Sequence, residues 1–112
     1  MKIAPKEKRQ LCVAFATKIL GDKWTPLILT ALFSKKLRFS ELQNTVSPIN
    51  PRTLSARLDF LEANCIITRT VYQEVPTRVE YELTNQGKDL VPILKSMGRW
   101  GDKYYDQAHK KH

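Results

Sequence analysis

A mostly helical α+β fold with one small β-hairpin follows from three features of this 112-residue sequence. Apolar residues recur at helical spacing through most of the chain, as in Leu11, Phe15 and Ile19, and again in Leu54, Leu58 and Leu61. One region, residues 66–84, switches to a period of two, with Val79, Tyr81 and Leu83 alternating with Glu80 and Glu82. The chain is also short, so it has room for a single modest core and one domain over residues 1–112.

Composition narrows the class further. The net charge of +8 prepares a small domain for a polyanion, either nucleic acid or an anionic membrane surface. The longest apolar run, around Leu27 to Phe33, is too short to span a bilayer, so no membrane insertion is expected. Met1 to Gln10 is charged throughout and no apolar stretch with a small-residue cleavage site follows, so no secretory signal is expected. Two well-separated cysteines make no disulfide framework and fit a reducing cytoplasm. No metal-spaced Cys/His set and no Gly-rich phosphate loop occurs, and both histidines lie in the tail. An enzyme, a metal site and a cofactor are therefore not expected.

In chain order, residues 1–9 form a basic arm with Lys2, Lys6, Lys8 and Arg9, expected to fray. A first helix is expected over about Gln10 to Leu20, stopped by Gly21. Either Asp22 or Thr25 can cap the next helix, with Pro26 tolerated in its first turn and Trp24 packed in the core. The run from Leu27 to Phe33 predicts a helix buried on most sides. Leu37 to Phe39 suits a brief strand, and Phe39, Leu42 and Val46 mark a third helix, with Ser40 and Gln43 in capping-box spacing. Ser47-Pro48-Ile49 breaks it.

The stretch from Asn50 to Asn64 follows at once. Asn50 is a good N-cap, Pro51 suits the first helical position, and Leu54, Leu58 and Leu61 make one apolar stripe. Arg52, Thr53, Ala56 and Arg57 occupy the other faces of the first two turns. Neither arginine has a carboxylate three or four residues away, so neither has an ion-pair partner on its own helix. A leucine-backed helix with unpaired cations near its start suits a DNA groove; a solvated amphipathic helix is the plain alternative. Two short helices joined by a tight turn make a helix-turn-helix candidate. A hairpin directly behind, over residues 66–84, completes the layout of a winged helix. Arg78 falls at the expected hairpin tip, as a groove or phosphate contact or else a solvated turn residue. Glu80 and Glu82 are expected to pair across strands with residues such as Arg69.

Thr84 can cap a last helical segment over residues 85–108, which Pro92 should kink or restart. Leu90, Leu94 and Met97 form one stripe, and Ile93, Trp100 and Tyr104 another. A helix of that length reaches roughly 30–35 Å, more than a small core covers on both stripes. A homodimer is the economical expectation, built from this segment with the first helix through Leu11, Phe15, Leu94, Met97, Trp100 and Tyr104. Lys110, Lys111 and the two histidines read only as a polar tail.

In its assembled order the sequence resembles the HxlR-type winged helix-turn-helix transcription regulators, relatives of the MarR group. The matching pieces are Gly21-Asp22-Lys23-Trp24-Thr25, Arg38-Phe39-Ser40-Glu41-Leu42, Arg52 with Leu54, Leu58, Leu61 and Glu62, and Val71 through Thr84, followed by Gly87 and Trp100. The resemblance implies a homodimer on double-stranded DNA, with the Asn50–Asn64 helix in the major groove and the hairpin as wing. It makes Arg52, Thr53, Ala56 and Arg57 groove contacts, Arg78 the wing-tip contact, and Lys35, Lys36, Arg38 and Ser40 phosphate-positioning residues. In some members of this family a cysteine senses oxidants. Cys12 falls one position after the place that cysteine usually takes and lies on the predicted apolar stripe, which favours a buried, inert thiol over a sensor. A small-molecule or redox effector stays open. Cys65 stands where the family usually has glycine, so the left-handed residue ending the helix is expected at Asn64 instead. The competing class is a winged-helix module that binds protein and not DNA.

Overall fold

Leu54, Leu58 and Leu61 are at most 1% exposed, and the rest of the molecule is assembled around that buried stripe. In the computed structural model, which describes residues 2–110, the order is α1 (Pro5–Leu20), α2 (Thr25–Ala31), β1 (Leu37–Arg38), α3 (Phe39–Thr45), α4 (Pro51–Ala63), β2 (Ile67–Tyr72), β3 (Arg78–Leu83), α5 (Asn85–Lys88) and α6 (Val91–Ala108). Met1 of the basic arm and Lys111 and His112 of the tail lie outside the described residues. Ile28 and Leu29 of α2, Leu42 of α3 and the α4 leucines meet in one cluster. Full burial of each such side chain is worth about 1.5–3 kcal/mol.

The strands form one antiparallel sheet in the order β1-β3-β2, with Leu37 opposite Tyr81, Ile67 opposite Leu83 and Tyr72 opposite Arg78. Period-two alternation puts Leu37, Ile67, Tyr81 and Leu83 on the core face. A helix-turn-helix of α3 and α4 followed by the β2–β3 hairpin, with β1 added at its edge, is a winged helix.

Local chemistry ends and begins most elements as the residues dictate. The Asn50 side chain accepts from the Arg52 amide at 2.8 Å, and Thr84 accepts from the Gly87 amide at 3.0 Å. Asp22 accepts from the amides of Trp24 and Thr25, so it caps the entry to α2. Pro92 lies in the first turn of α6 and restarts the helix after α5.

Several expectations are corrected. Helix α1 starts at Pro5, so much of the basic arm is helical; proline at the start and Glu7 in the first turn favour initiation without any apolar period. Helix α2 is buried on one side only, because it is two turns long and the core lies beneath Ile28 and Leu29, while Leu27 is half exposed. Trp24 packs at the edge of the core. The box at α3 lies two residues earlier than expected, with the Arg38 amide donating to Glu41 Oε1 at 2.9 Å. Glu80 reaches Lys36 and Arg78, on its own face of the sheet, while Arg69 sits opposite Tyr81.

The end of α4 differs as well. Cys65 takes the left-handed conformation, with φ 62°, while Asn64 stays at φ −95°. The Cys65 amide donates to the Glu62 carbonyl at 3.0 Å and the Ile66 amide to the Leu61 carbonyl at 2.9 Å. That pair of bonds is a Schellman motif, and it requires the left-handed residue one position past the cap. Ile66 is buried, so the chain must turn there whatever residue occupies position 65.

The chain is broad and flat, with extents of 55 × 52 × 24 Å and a radius of gyration of 16.7 Å. A compact chain of this length would have a radius of about 13 Å. Much of α1 and α6 lies outside the core: every residue of α1 before Ile19 is exposed, as is nearly all of α6 after Leu94.

Two substitutions should move stability in opposite directions. Cys65→Gly relieves the left-handed strain and should raise stability by about 1 kcal/mol. At Gly87 an added Cβ would lie 2.1 Å from the Ile66 carbonyl oxygen, which is backbone and cannot step aside. Gly87→Ala should therefore cost about 1–3 kcal/mol. Thermal and urea denaturation of the two variants measure both shifts.

Candidate nucleic-acid interface

Burial of the leucine stripe turns the opposite face of α4 outward, and its first two turns present Arg52, Ser55 and Ala56 to solvent with Thr53 half buried beside them. Arg52 has no ion-pair partner among the described residues, so its charge is available to an incoming group. Ser55 shares this face, and its spacing of three from Arg52 is the sequence signal that places it there.

Arg57 is different. Its Nη2 lies 2.9 Å from Asp22 Oδ2, and its Nε donates to Thr25 Oγ1 at 3.0 Å. The guanidinium also covers the Phe60 ring at 4.3 Å. Thr25 is fully buried, and its hydroxyl donates in turn to Asp22 Oδ2. The absence of a carboxylate on the same helix was therefore no guide, because the partner comes from the connection between α1 and α2. Burial by itself raises the pKa of the Asp22 carboxyl. The hydrogen bonds from the Thr25 side chain and from the Thr25 and Trp24 amides, with the charge of Arg57, outweigh it and hold the pKa below the ordinary value.

On the hairpin side, Arg78 does not sit at the tip. It opens β3, stacks on Tyr72 at 4.1 Å, and places Nη2 3.2 Å from Glu74 Oε1 and Nε 3.9 Å from Glu80 Oε2. The tip carries Val75, which is fully exposed. Arg78 nonetheless lines one groove of about 370 Å³ with Arg38, Phe39, Ser40, Thr77 and Val79, which brings Arg38, Ser40 and Arg78 together between α3 and the wing. Lys36 donates to the Tyr72 hydroxyl at 3.4 Å and lies 3.7 Å from Glu80 Oε1. The tyrosine hydroxyl first, and then Glu80, raise its pKa, so it stays cationic. Lys35 is exposed and lines a separate hollow with Lys36, Lys88 and Glu82.

Of the residues expected at a dimer contact, Leu11, Phe15, Met97, Trp100 and Tyr104 are exposed on α1 and α6. Leu94 is not: at 7% exposure it belongs to the chain's own core, because the first turns of α6 pack on α2. Cys12 is exposed, as are its neighbours on α1, which contradicts the expectation of a buried thiol. The core does not extend along α1 far enough to cover it. Cys65 is exposed too. No helix of the described residues is long and apolar enough to cross a membrane, and they contain no cluster suited to a metal ion.

A turn between α3 and α4 anchored by buried Val46 and Ile49, an outward cationic face on α4 and a wing with basic side chains at its root define a winged helix-turn-helix protein. Residues 19–109 match the HxlR-like helix-turn-helix family, and the chain belongs to that family. It is 45% identical over 95 residues to an uncharacterised HTH-type transcriptional regulator of Methanothermobacter thermautotrophicus, spanning 84% of this chain and 72% of the relative. It is 37% identical over 101 residues to the HTH-type regulator YvaP of Bacillus subtilis, spanning 88% and 94%. Among solved structures, the redox regulator HypR in its reduced form superposes with a TM-score of 0.83 at 35% identity, covering 88% of this chain and 98% of HypR. A MarR-family transcriptional regulator from Porphyromonas gingivalis W83 gives 0.79 at 33% identity, covering 90% and 96%.

The lowered Asp22 pKa carries a sign. A carboxyl more acidic in the folded than in the unfolded chain contributes its full stability above the unfolded value, near pH 4, and loses it as the pH falls through the lowered folded value. Urea denaturation should show wild type more stable than Asp22→Asn at neutral pH, with the two converging in acid.

Proposed function

We propose that the protein is a sequence-specific transcription regulator that binds an inverted-repeat DNA site as a homodimer. The observation that carries this reading is the outward face of α4, where Arg52 stands exposed without an ion-pair partner among the described residues. In this reading α4 enters the major groove and Arg52, Thr53 and Ala56 meet base edges, with Arg52 suited to a guanine. Lys35, Lys36, Arg38 and Ser40 hold the phosphates that fix its register, and the wing root at Arg78 faces the adjacent backbone or minor groove. The net charge of +8 supports the electrostatic part of the binding. The relatives that are named HTH-type transcriptional regulators support the biological role.

The homodimer rests on the exposed apolar residues of two helices. Leu11 and Phe15 share one face of α1 and Met97, Trp100 and Tyr104 one face of α6, and these would form the contact between copies, with Trp100 69% exposed in the single chain. Two copies related by a twofold axis present two α4 helices to half-sites one helical turn apart, roughly 34–36 Å.

Selection from a random DNA pool should return an inverted repeat, with affinity falling steeply as salt rises. On that site Arg52→Ala should cost about 1–3 kcal/mol and relax preference at one position of each half-site. Lys35→Ala should weaken all sequences alike and reduce the salt slope by about 1. Equal losses from both changes on all sequences would remove Arg52 from the groove. Sedimentation should give twice the chain mass of 13.0 kDa for wild type and a single mass for Trp100→Glu.

A further inference from the structure

The Asp22–Thr25–Arg57 cluster is not absorbed by that reading, since the arginine that the α4 sequence offers as a second groove contact is turned onto the protein. We propose that Arg57 is a positioning residue: through Asp22 and Thr25 it sets the pose of α4, and with it the register in which Arg52 and Thr53 meet the bases. The inference rests on the DNA-binding reading above.

Four contacts converge on Asp22. One oxygen takes the amides of Trp24 at 2.7 Å and Thr25 at 2.8 Å; the other takes the Thr25 hydroxyl and Arg57 Nη2. The carboxylate is thereby fixed by backbone before the arginine arrives, and Arg57 Nε is held a second time on the buried Thr25. Stacking on Phe60 fixes the plane of the guanidinium. Three elements are joined at this point: the connection that leaves α1 after Leu20, the entry to α2, and the middle of α4.

The leucine stripe supplies this constraint less sharply. Apolar burial is non-directional, so packing holds α4 against the core with more tolerance for small rotation or sliding than a hydrogen bond allows. Charge-assisted hydrogen bonds lose strength within tenths of an ångström and tens of degrees, so they fix rotation and height together. Base recognition has the same geometric tolerance, whereas non-specific binding depends on charge and is indifferent to a small rotation. Loss of the cluster therefore lowers specific binding and spares non-specific binding. The position of Asp22 adds a consequence, because only Gly21 separates it from the end of α1 at Leu20: the orientation of that helix is transmitted to α4 through the same carboxylate.

The opposite possibility makes the opposite forecast. If Arg57 were a DNA contact held in reserve by Asp22, removing the acid would free a cation and bring binding up on every sequence. The test uses the full chain as wild type, Asp22→Asn, Arg57→Lys and the double variant. Each is titrated against the selected inverted repeat and against an unrelated duplex. Partial unfolding lowers both affinities equally and leaves their ratio unchanged, so the ratio reports pose and not stability. The expected result is a fall of about tenfold in the ratio of specific to non-specific affinity for each single variant, equivalent to about 1.4 kcal/mol. The double variant should be no worse than either single one, as for residues acting as a unit. Tighter binding of Asp22→Asn to both duplexes, or an unchanged ratio in either single variant, overturns the proposal while leaving the DNA-binding reading intact. Absence of any sequence preference in wild type overturns that reading and this inference with it.

Discussion

Leu54, Leu58 and Leu61 lose nearly all contact with solvent on one face of α4, and that burial decides what every neighbouring element can do. Helices α2 and α3 supply the opposing apolar surface, and the core face of the sheet closes the cluster beneath. With its leucine side committed, α4 has only its polar face left for solvent, and the Asn50 cap starts it so that Arg52 lies on that face. The Schellman turn at Cys65 ends it so that Ile66 re-enters the core and the chain leaves directly into β2. Gly87 belongs to the same junction, because its backbone passes against the Ile66 carbonyl where no side chain fits.

Charge in this protein is divided between groups that are spent internally and groups that are not. Arg57 is satisfied by Asp22 and Thr25, and Arg78 and Lys36 share Glu80 at the root of the wing. Arg52 and Lys35 have no such partner among the described residues. A basic net charge therefore overstates the interface that a polyanion would meet. The proposed contacts concentrate at the start of α4 and in the groove between α3 and the wing, where Arg38, Ser40 and Arg78 converge.

The protomer also leaves an apolar surface unfinished. Helix α1 contributes Ile19 to the core and little else, and α6 contributes Leu94 near its start, while Phe15 and Trp100 face outward. That distribution, with a radius of gyration well above that of a compact chain, fits the proposed pairing of two copies. It also explains why Cys12 is exposed here: the surface around it is the one that the protomer does not cover.

What was legible in the residues is what depends on neighbours within a turn or two. Leucine and isoleucine spacing located the helices, alternation located the hairpin, and Asn50, Thr84 and Pro92 marked starts because a cap acts on amides within three residues of it. Lower visibility attended anything set by distant parts of the chain. Arg57 looks unpaired because its carboxylate lies on another element, and Arg78 looks like a tip residue because strand register, not sequence position, assigns the turn. Leu94 and Met97 share a helical stripe, yet one is core and the other surface, since the stripe runs past the end of the body it packs on. Period and capping are local properties of a backbone; pairing of charges and the depth of a face depend on which elements meet, and that is settled in the folded molecule alone.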